Sequence, residues 1–313
     1  MVTGCVLLGM LAAVPPTAHA AFPGQNGKIA LEISGDIYSF DADGTGLTRL
    51  TDHPGEDRVP NWSPEGTRIA FASFRGGLWG IYVMDADGSD VALVTEEPGF
   101  TFSPSWSPDA TKLAYQSSQG GVRVVNLDGT GRTDLHGGID PAWSPDGSLI
   151  AYWTSLSGIP RTDVFTMRPD GTGNFNVTND ASTQDHSPDW SPDSQKILFF
   201  RDNVIHTIRP DGTGLTPIVP GIVPKFSPDG TKIVYVELNS RRIATANADG
   251  SGVQVISGQG YNPDWQPIPG PQRSDYKNAA QFCKADREFL GEAGFRQKYG
   301  GGANAHGKCV SGS

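Results

Sequence analysis

Between residues 22 and 267 the apolar positions fall into short alternating runs, separated by clusters of Gly, Pro, Asp and Ser. Alternation over runs of about four to eight residues predicts half-buried β-strands, not helices. The runs are phased. An aromatic anchor recurs at Phe22, Trp62, Trp106, Trp143, Trp190, Phe226 and Trp265, at spacings of 40, 44, 37, 47, 36 and 39 residues. Seven residues after each of the first six anchors an apolar run begins, at Ile29, Ile69, Leu113, Ile150, Ile197 and Ile233.

Two turn signatures alternate within this period. The first comes directly after the anchor, as in Trp62-Ser63-Pro64-Glu65-Gly66, Trp106-Ser107-Pro108-Asp109 and Trp190-Ser191-Pro192-Asp193. The second is an Asp-Gly hairpin, as in Asp41-Ala42-Asp43-Gly44, Arg168-Pro169-Asp170-Gly171 and Asn247-Ala248-Asp249-Gly250. Asp-Gly between alternating runs is a strong hairpin signal, because Gly takes positive φ freely and Asp tolerates it. A calcium loop would need about six oxygens and a bidentate acid near its twelfth position. Thr45-Gly46-Leu47-Thr48-Arg49 supplies no acid, so these turns are read as hairpins. Each unit is then four strands in roughly 40–45 residues, which predicts an all-β, six-bladed β-propeller. Tyr261–Trp265 is expected to close the ring by joining residues 28–52 in one blade.

These units resemble the WD-like repeats of the TolB-type β-propellers, with their Pro-x-Trp-Ser-Pro-Asp-Gly start and Asp-Ala-Asp-Gly hairpin. The resemblance covers about residues 22–267. TolB proteins carry an N-terminal α/β domain ahead of the propeller, and the resemblance here is to the propeller only. The same repeat occurs in propellers attached to peptidases and in pectin-fragment lyases, so it implies a fold and leaves the function to be argued from the site.

Composition agrees. Gly (40) and Pro (24) are abundant, and 7 Trp, 8 Tyr and 14 Phe supply a core. The net charge of −10 divides unevenly: residues 21–271 carry −13 and residues 272–313 carry +3. An acidic body repels polyphosphate, which excludes nucleic acid as a partner. Val6–Val14 is a short apolar run ending in Pro15-Pro16 and Ala18-His19-Ala20, read as a signal peptide over residues 1–20 with no basic residue ahead of it. The remaining chain is expected to be secreted, extracellular or periplasmic, without a membrane span, and monomeric. The chain divides in three: 1–20 the leader, 21–271 the propeller, and 272–313 a C-terminal segment helical from Ser274 to Tyr299, with Phe282, Cys283 and Phe289 toward one side. In an oxidising compartment Cys283 and Cys309 are expected to pair as a disulfide; a redox pair would show Cys-x-x-Cys spacing.

Chemistry is sparse. No Gly-x-Ser-x-Gly elbow occurs, which argues against a serine hydrolase. His53, His136 and His186 lie near the starts of inner strands, where imidazoles converging on one ion would make a metal-dependent polysaccharide lyase or hydrolase. They stand nine, seven and four residues before their Trp, so their positions are not equivalent. No cofactor is expected. The residues just before each Pro-x-Trp should face the channel, and Asp57, Arg58, Phe102, Asp140, Asp185, His186, Tyr261 and Asn262 are the candidate ligand-binding set. The reading is a non-catalytic binding module for a protein, peptide or glycan at the channel mouth, with the metal-dependent enzyme as the alternative.

Overall fold

The computed structural model describes residues 24–155, 161–180, 182–271, 276, 278–299 and 305–311. The leader, Phe22 and Ser274 lie outside these residues. Six four-stranded antiparallel sheets form a ring. Their inner strands are Tyr261–Pro269 (blade 1), Asp57–Trp62 (blade 2), Thr101–Trp106 (blade 3), Ile139–Trp143 (blade 4), Asp185–Trp190 (blade 5) and Ile222–Phe226 (blade 6). Blade 1 is shared by the two ends of the propeller: Tyr261–Pro269 pairs with Gly24–Ile33, and Asp36–Phe40 and Thr48–Arg49 lie outward of them. This is the closure expected from the sequence, and it gives blade 1 the same four strands as the others.

Local chemistry explains why both signatures recur. In the first, Ser107, Ser144, Ser191 and Ser227 each donate Oγ–H to the Asp two residues on, at 2.6 Å. The same hydroxyl accepts the backbone N–H five residues on, from Lys112, Leu149, Lys196 and Lys232. The turn is thereby tied at both ends by local hydrogen bonds. In the hairpins, the Oδ1 of Asp43, Asp87, Asp128, Asp170, Asp211 and Asp249 accepts both the N–H and the hydroxyl of the Ser or Thr two residues later. These bonds hold the exposed carboxyls below the ordinary carboxylate range. The acids are occupied as turn acceptors, as the sequence implies.

The core lies within and between blades. Ile29, Ile69, Leu113, Ile150, Ile197 and Ile233, the residues seven after each anchor, are all fully buried. The anchors sit at the seams, where two kinds of polar link alternate. Asp264, Ser105 and Asp189 accept the backbone N–H of the next blade's anchor, Trp62, Trp143 and Phe226, at 2.7, 2.9 and 2.8 Å. At the two seams between them the anchor's own indole acts: Trp106 Nε1 donates to the Asn61 carbonyl and Trp190 Nε1 to the Ala142 carbonyl, both at 3.0 Å. The seam between blades 6 and 1 has a third kind, with Asp229 N–H donating to Asn26 Oδ1 at 3.2 Å.

The C-terminal segment folds as α1 (Ala279–Tyr299), which breaks at Gly291 (φ 68), and α2 (Ala305–Ser311), a helix that the sequence pattern does not announce. Cys283 and Cys309 are disulfide-bonded and bury a small cluster with Phe282, Leu290, Phe295 and Ala305. Phe289 points elsewhere. Its ring packs on Gly270, and its carbonyl accepts a bond from Gln25 Nε2, which seats the segment beside the closing strands.

Three inner strands are preceded by Gly138, Gly221 and Gly260, and at Gly221 a Cβ would meet Tyr235 at 2.5 Å and Ile205 at 3.0 Å. Gly221→Ala should therefore cost about 1–3 kcal/mol through overpacking, or roughly 2–4 °C per kcal/mol in a thermal scan. Gly258→Ala meets only open space and should leave the midpoint unchanged; equal shifts for both variants would refute this packing account.

Candidate binding site

All six inner strands share one irregularity. The residue before the recurring Pro has positive φ (Val59, Ser103, Asp140, Ser187, Val223 and Asn262, between 48° and 52°). The pairing register slips at the same place, as between Arg58 and Asn61 or between His186 and Asp189. This is a β-bulge, and Pro suits it because a bulged position needs no ladder N–H. Holding a β-branched residue such as Val59 there costs on the order of 1–3 kcal/mol. The bulge fixes where each neighbouring side chain points.

Three residues before the Pro, side chains turn into the blade body. Asp57 and Asp185 are fully buried there. Asp57 accepts Ser73 Oγ–H at 2.5 Å and pairs with Arg75 at 3.1 Å. Asp185 is held by Arg201 in a two-point ion pair, with both distances 2.7 Å. The structure thus places these two of the eight candidate residues behind the channel wall, where breaking the pair leaves a buried charge.

Two residues before the Pro stand Arg58, Phe102, Ile139, His186, Ile222 and Tyr261. Arg58 ion-pairs with Glu56 at 2.6 Å and Glu32 at 3.8 Å, and its guanidinium lies 5.7 Å from the Trp79 ring centre. Burial raises the Glu32 carboxyl above its ordinary range, with Arg58 and Asn262 opposing the shift. Phe102 packs on Trp79 with ring centres 4.5 Å apart. His186 lies between Trp153 (4.4 Å) and Phe200 (5.7 Å), and burial lowers its pKa. Tyr261 is exposed beneath the Arg241 guanidinium.

The bulged residues themselves line the channel. Asn262 Nδ2 donates to Glu32 at 3.2 Å, and Asp140 accepts both Ser103 Oγ–H (2.6 Å) and Trp153 Nε1–H (2.8 Å). Val59, Ser103, Asp140, Ser187, Val223 and Asn262, with the prolines behind them, enclose a cavity of about 130 Å3. Of the candidate set, Asp140 and Asn262 line this cavity.

One step further along lies a feature that sequence reasoning missed. Lys225 reaches Asp189 at 3.2 Å, and Asp264 Oδ2 accepts Asn61 Nδ2–H at 3.1 Å as well as Trp62 N–H. Burial pushes the Asp264 carboxyl up to about 7, against the pull of Lys225. Burial alone would lower the Lys225 ammonium, but Asp189 and Asp264 outweigh it and the net shift is upward.

The three histidines occupy different settings. His53 Nδ1 accepts the Gly55 N–H at 2.9 Å, His186 is on an inner strand between aromatic rings, and the His136 side chain lies outside the described residues. Among the described residues no three His, Cys, Asp or Glu side chains group to hold a metal ion. No helix among them is long and apolar enough to cross a membrane.

A family model described as the TolB beta propeller domain matches residues 23–134 and 79–269. No curated protein sequence matches the chain. Among solved structures, TolB from Acinetobacter baumannii is 19% identical, with 77% of this chain and 67% of that chain covered and a TM-score of 0.67. A chain of a nidogen/laminin complex is 10% identical over 77% of this chain and 98% of its own, with a TM-score of 0.67. An oligogalacturonate lyase in complex with manganese is 15% identical over 71% and 70%, with a TM-score of 0.51. At these identities the likeness is one of fold.

Asp264 yields a test. Its folded pKa lies above its unfolded value, so the stability it contributes is present below about pH 4 and is lost as pH rises through about 7. Asp264→Asn keeps an acceptor for Trp62 N–H and cannot ionise. The melting temperature of the variant relative to the parent should be about 5–10 °C higher at pH 8 than at pH 5; a difference that does not move with pH would refute the assignment.

Proposed function

The chain belongs to the TolB β-propeller family, and from that premise we propose that it is a non-catalytic binding module that takes a protein, peptide or glycan at its channel mouth. The fold and the Cys283–Cys309 disulfide fit a periplasmic or extracellular protein. One observation carries the reading. The Pro and the aromatic anchor repeat from blade to blade, whereas the mouth position two residues before the Pro is Arg58, Phe102, Ile139, His186, Ile222 and Tyr261 in turn. The fold asks for the Pro and the aromatic anchor in each blade and for nothing in particular two residues before the Pro. A mixed rim of ring, cation and aliphatic side chain is what a recognition site uses.

The likeness to a manganese-bound lyase favours a second reading, a metal-dependent polysaccharide lyase or hydrolase. Its candidate ligands His53 and His186 are engaged with Gly55 and with two aromatic rings respectively. Two measurements separate the readings. Purified without chelator, the protein should hold far less than one transition-metal ion per chain; one tightly held ion would overturn the non-catalytic reading. Capture of ligand from the extracellular fraction should fall by about tenfold with the double variant Arg58→Ala and Tyr261→Ala, and capture that is indifferent to both changes would remove the mouth as the site.

A further inference from the structure

The residue before each anchor occupies one level of the inner strands: Asp264, Asn61, Ser105, Ala142, Asp189 and Lys225 in blades 1 to 6. Five of the six seams are linked through this level. Asp264, Ser105 and Asp189 accept the next anchor's N–H, and the carbonyls of Asn61 and Ala142 accept the next anchor's indole. By that alternation the sixth seam, between blades 6 and 1, calls for Trp265 Nε1 to donate to the Lys225 carbonyl. The bond is not made, and Trp265 Nε1 is buried with no partner among the described residues. The seam is linked instead at the turn beyond, by Asp229 and Asn26.

At this seam the level carries opposite charges, Lys225 on the blade 6 side and Asp264 on the blade 1 side. Lys225 borders the channel cavity, and its Nζ lies 3.2 Å from Asp189 Oδ1, away from blade 1. That contact uses one of an ammonium's three donors. Asp264 takes both of its hydrogen bonds on Oδ2, from Trp62 N–H and Asn61 Nδ2, and Oδ1 accepts none among the described residues. We propose that Lys225 is a cation with two stations. It rests on Asp189 while the Asp264 carboxyl is neutral, and reaches across the unlinked seam to Asp264 Oδ1 once that carboxyl has given its proton to water. The closing seam then carries a link set by pH, whatever binds at the mouth. Burial decides the direction of the move. Asp189 is half-buried and keeps the Phe226 N–H when the ammonium leaves, whereas ionised Asp264 is buried and has no other cation to turn to. The two groups already act on each other: burial lowers the Lys225 ammonium while Asp189 and Asp264 raise it, and burial raises the Asp264 carboxyl while Lys225 draws it down. Asp140, nearer the mouth in blade 4, also acts on Lys225 but is held by Ser103 and Trp153. The other charges on strands packed against Asp264 are engaged, Lys28 with Asp41, Glu32 with Arg58, Asp57 with Arg75 and Lys232 with Asn247.

Crystal structures of the full chain at about pH 5 and about pH 9 test this directly. Nζ is expected on Asp189 at the lower pH and within hydrogen-bond reach of Asp264 at the higher; the same station at both would overturn the proposal. In solution the Asp264 carboxyl can be followed by its 13C resonance. Its midpoint should rise by about one pH unit in Lys225→Met, which keeps the stem and removes the counter-charge. It should fall in Asp189→Asn, which leaves Lys225 no other station. A midpoint unmoved by either change would overturn the proposal. In Asp264→Asn the ammonium should stay on Asp189 at both pH values, and one that still moves would show that another group drives it, which overturns the assignment to Asp264.

Discussion

The bulge before each inner-strand proline governs this molecule. Six inner strands crowd one narrow channel, and a regular strand would send alternate side chains to the channel and to the blade body without interruption. By placing Val59, Ser103, Asp140, Ser187, Val223 and Asn262 at positive φ, the chain resets the alternation once in every strand. Side chains ahead of the bulge then divide between blade body and mouth, and those beyond it meet the neighbouring blade. The Asp264, Ser105 and Asp189 links to the next anchor's backbone exist because the bulge delivers those side chains to the seam. The same displacement brings Lys225 to Asp189.

This geometry separates two kinds of position. Anchor and turn positions carry chemistry that the blades share, and they vary little: the Ser that caps its own turn, the Asp that closes the hairpin, the aromatic anchor. Mouth and hairpin-tip positions are not called on to hold the ring. Arg58, Phe102, His186 and Tyr261 can differ without cost to the seams. On the proposed reading, the binding surface is assembled from positions that the scaffold does not constrain.

The same division explains what could be read from the sequence. The propeller, its blade number and its closure were legible because Ser-Pro-Asp-Gly and Asp-Gly turns are made by local hydrogen bonds, whose partners lie two to five residues away. The disulfide was legible from compartment and proximity. The inward turn of Asp57 and Asp185 was not, because a bulge reverses the facing of a strand and leaves only a Pro as its trace. Their partners Arg75 and Arg201 lie on the next strand, a contact that no period reveals. The Asp189–Lys225–Asp264 group joins three blades and was hidden for the same reason.

Closure of the ring by Gly24–Ile33 and Tyr261–Pro269 also constrains how the protein can fold. Gly24 pairs with Pro269 across almost the whole propeller, so the ladder of blade 1 is the contact of greatest sequence separation in the ring. Loop-closure entropy makes such a contact expensive to form early, and topologies rich in non-local pairing fold slowly. Blades 2 to 6 are each continuous in sequence and can gather their strands locally, whereas the three strands between Gly24 and Arg49 must wait, edge exposed, for their fourth. The slow step is then the capture of one strand by a preassembled arc, and the interval before it is when the chain is most open to pairing with another copy of itself.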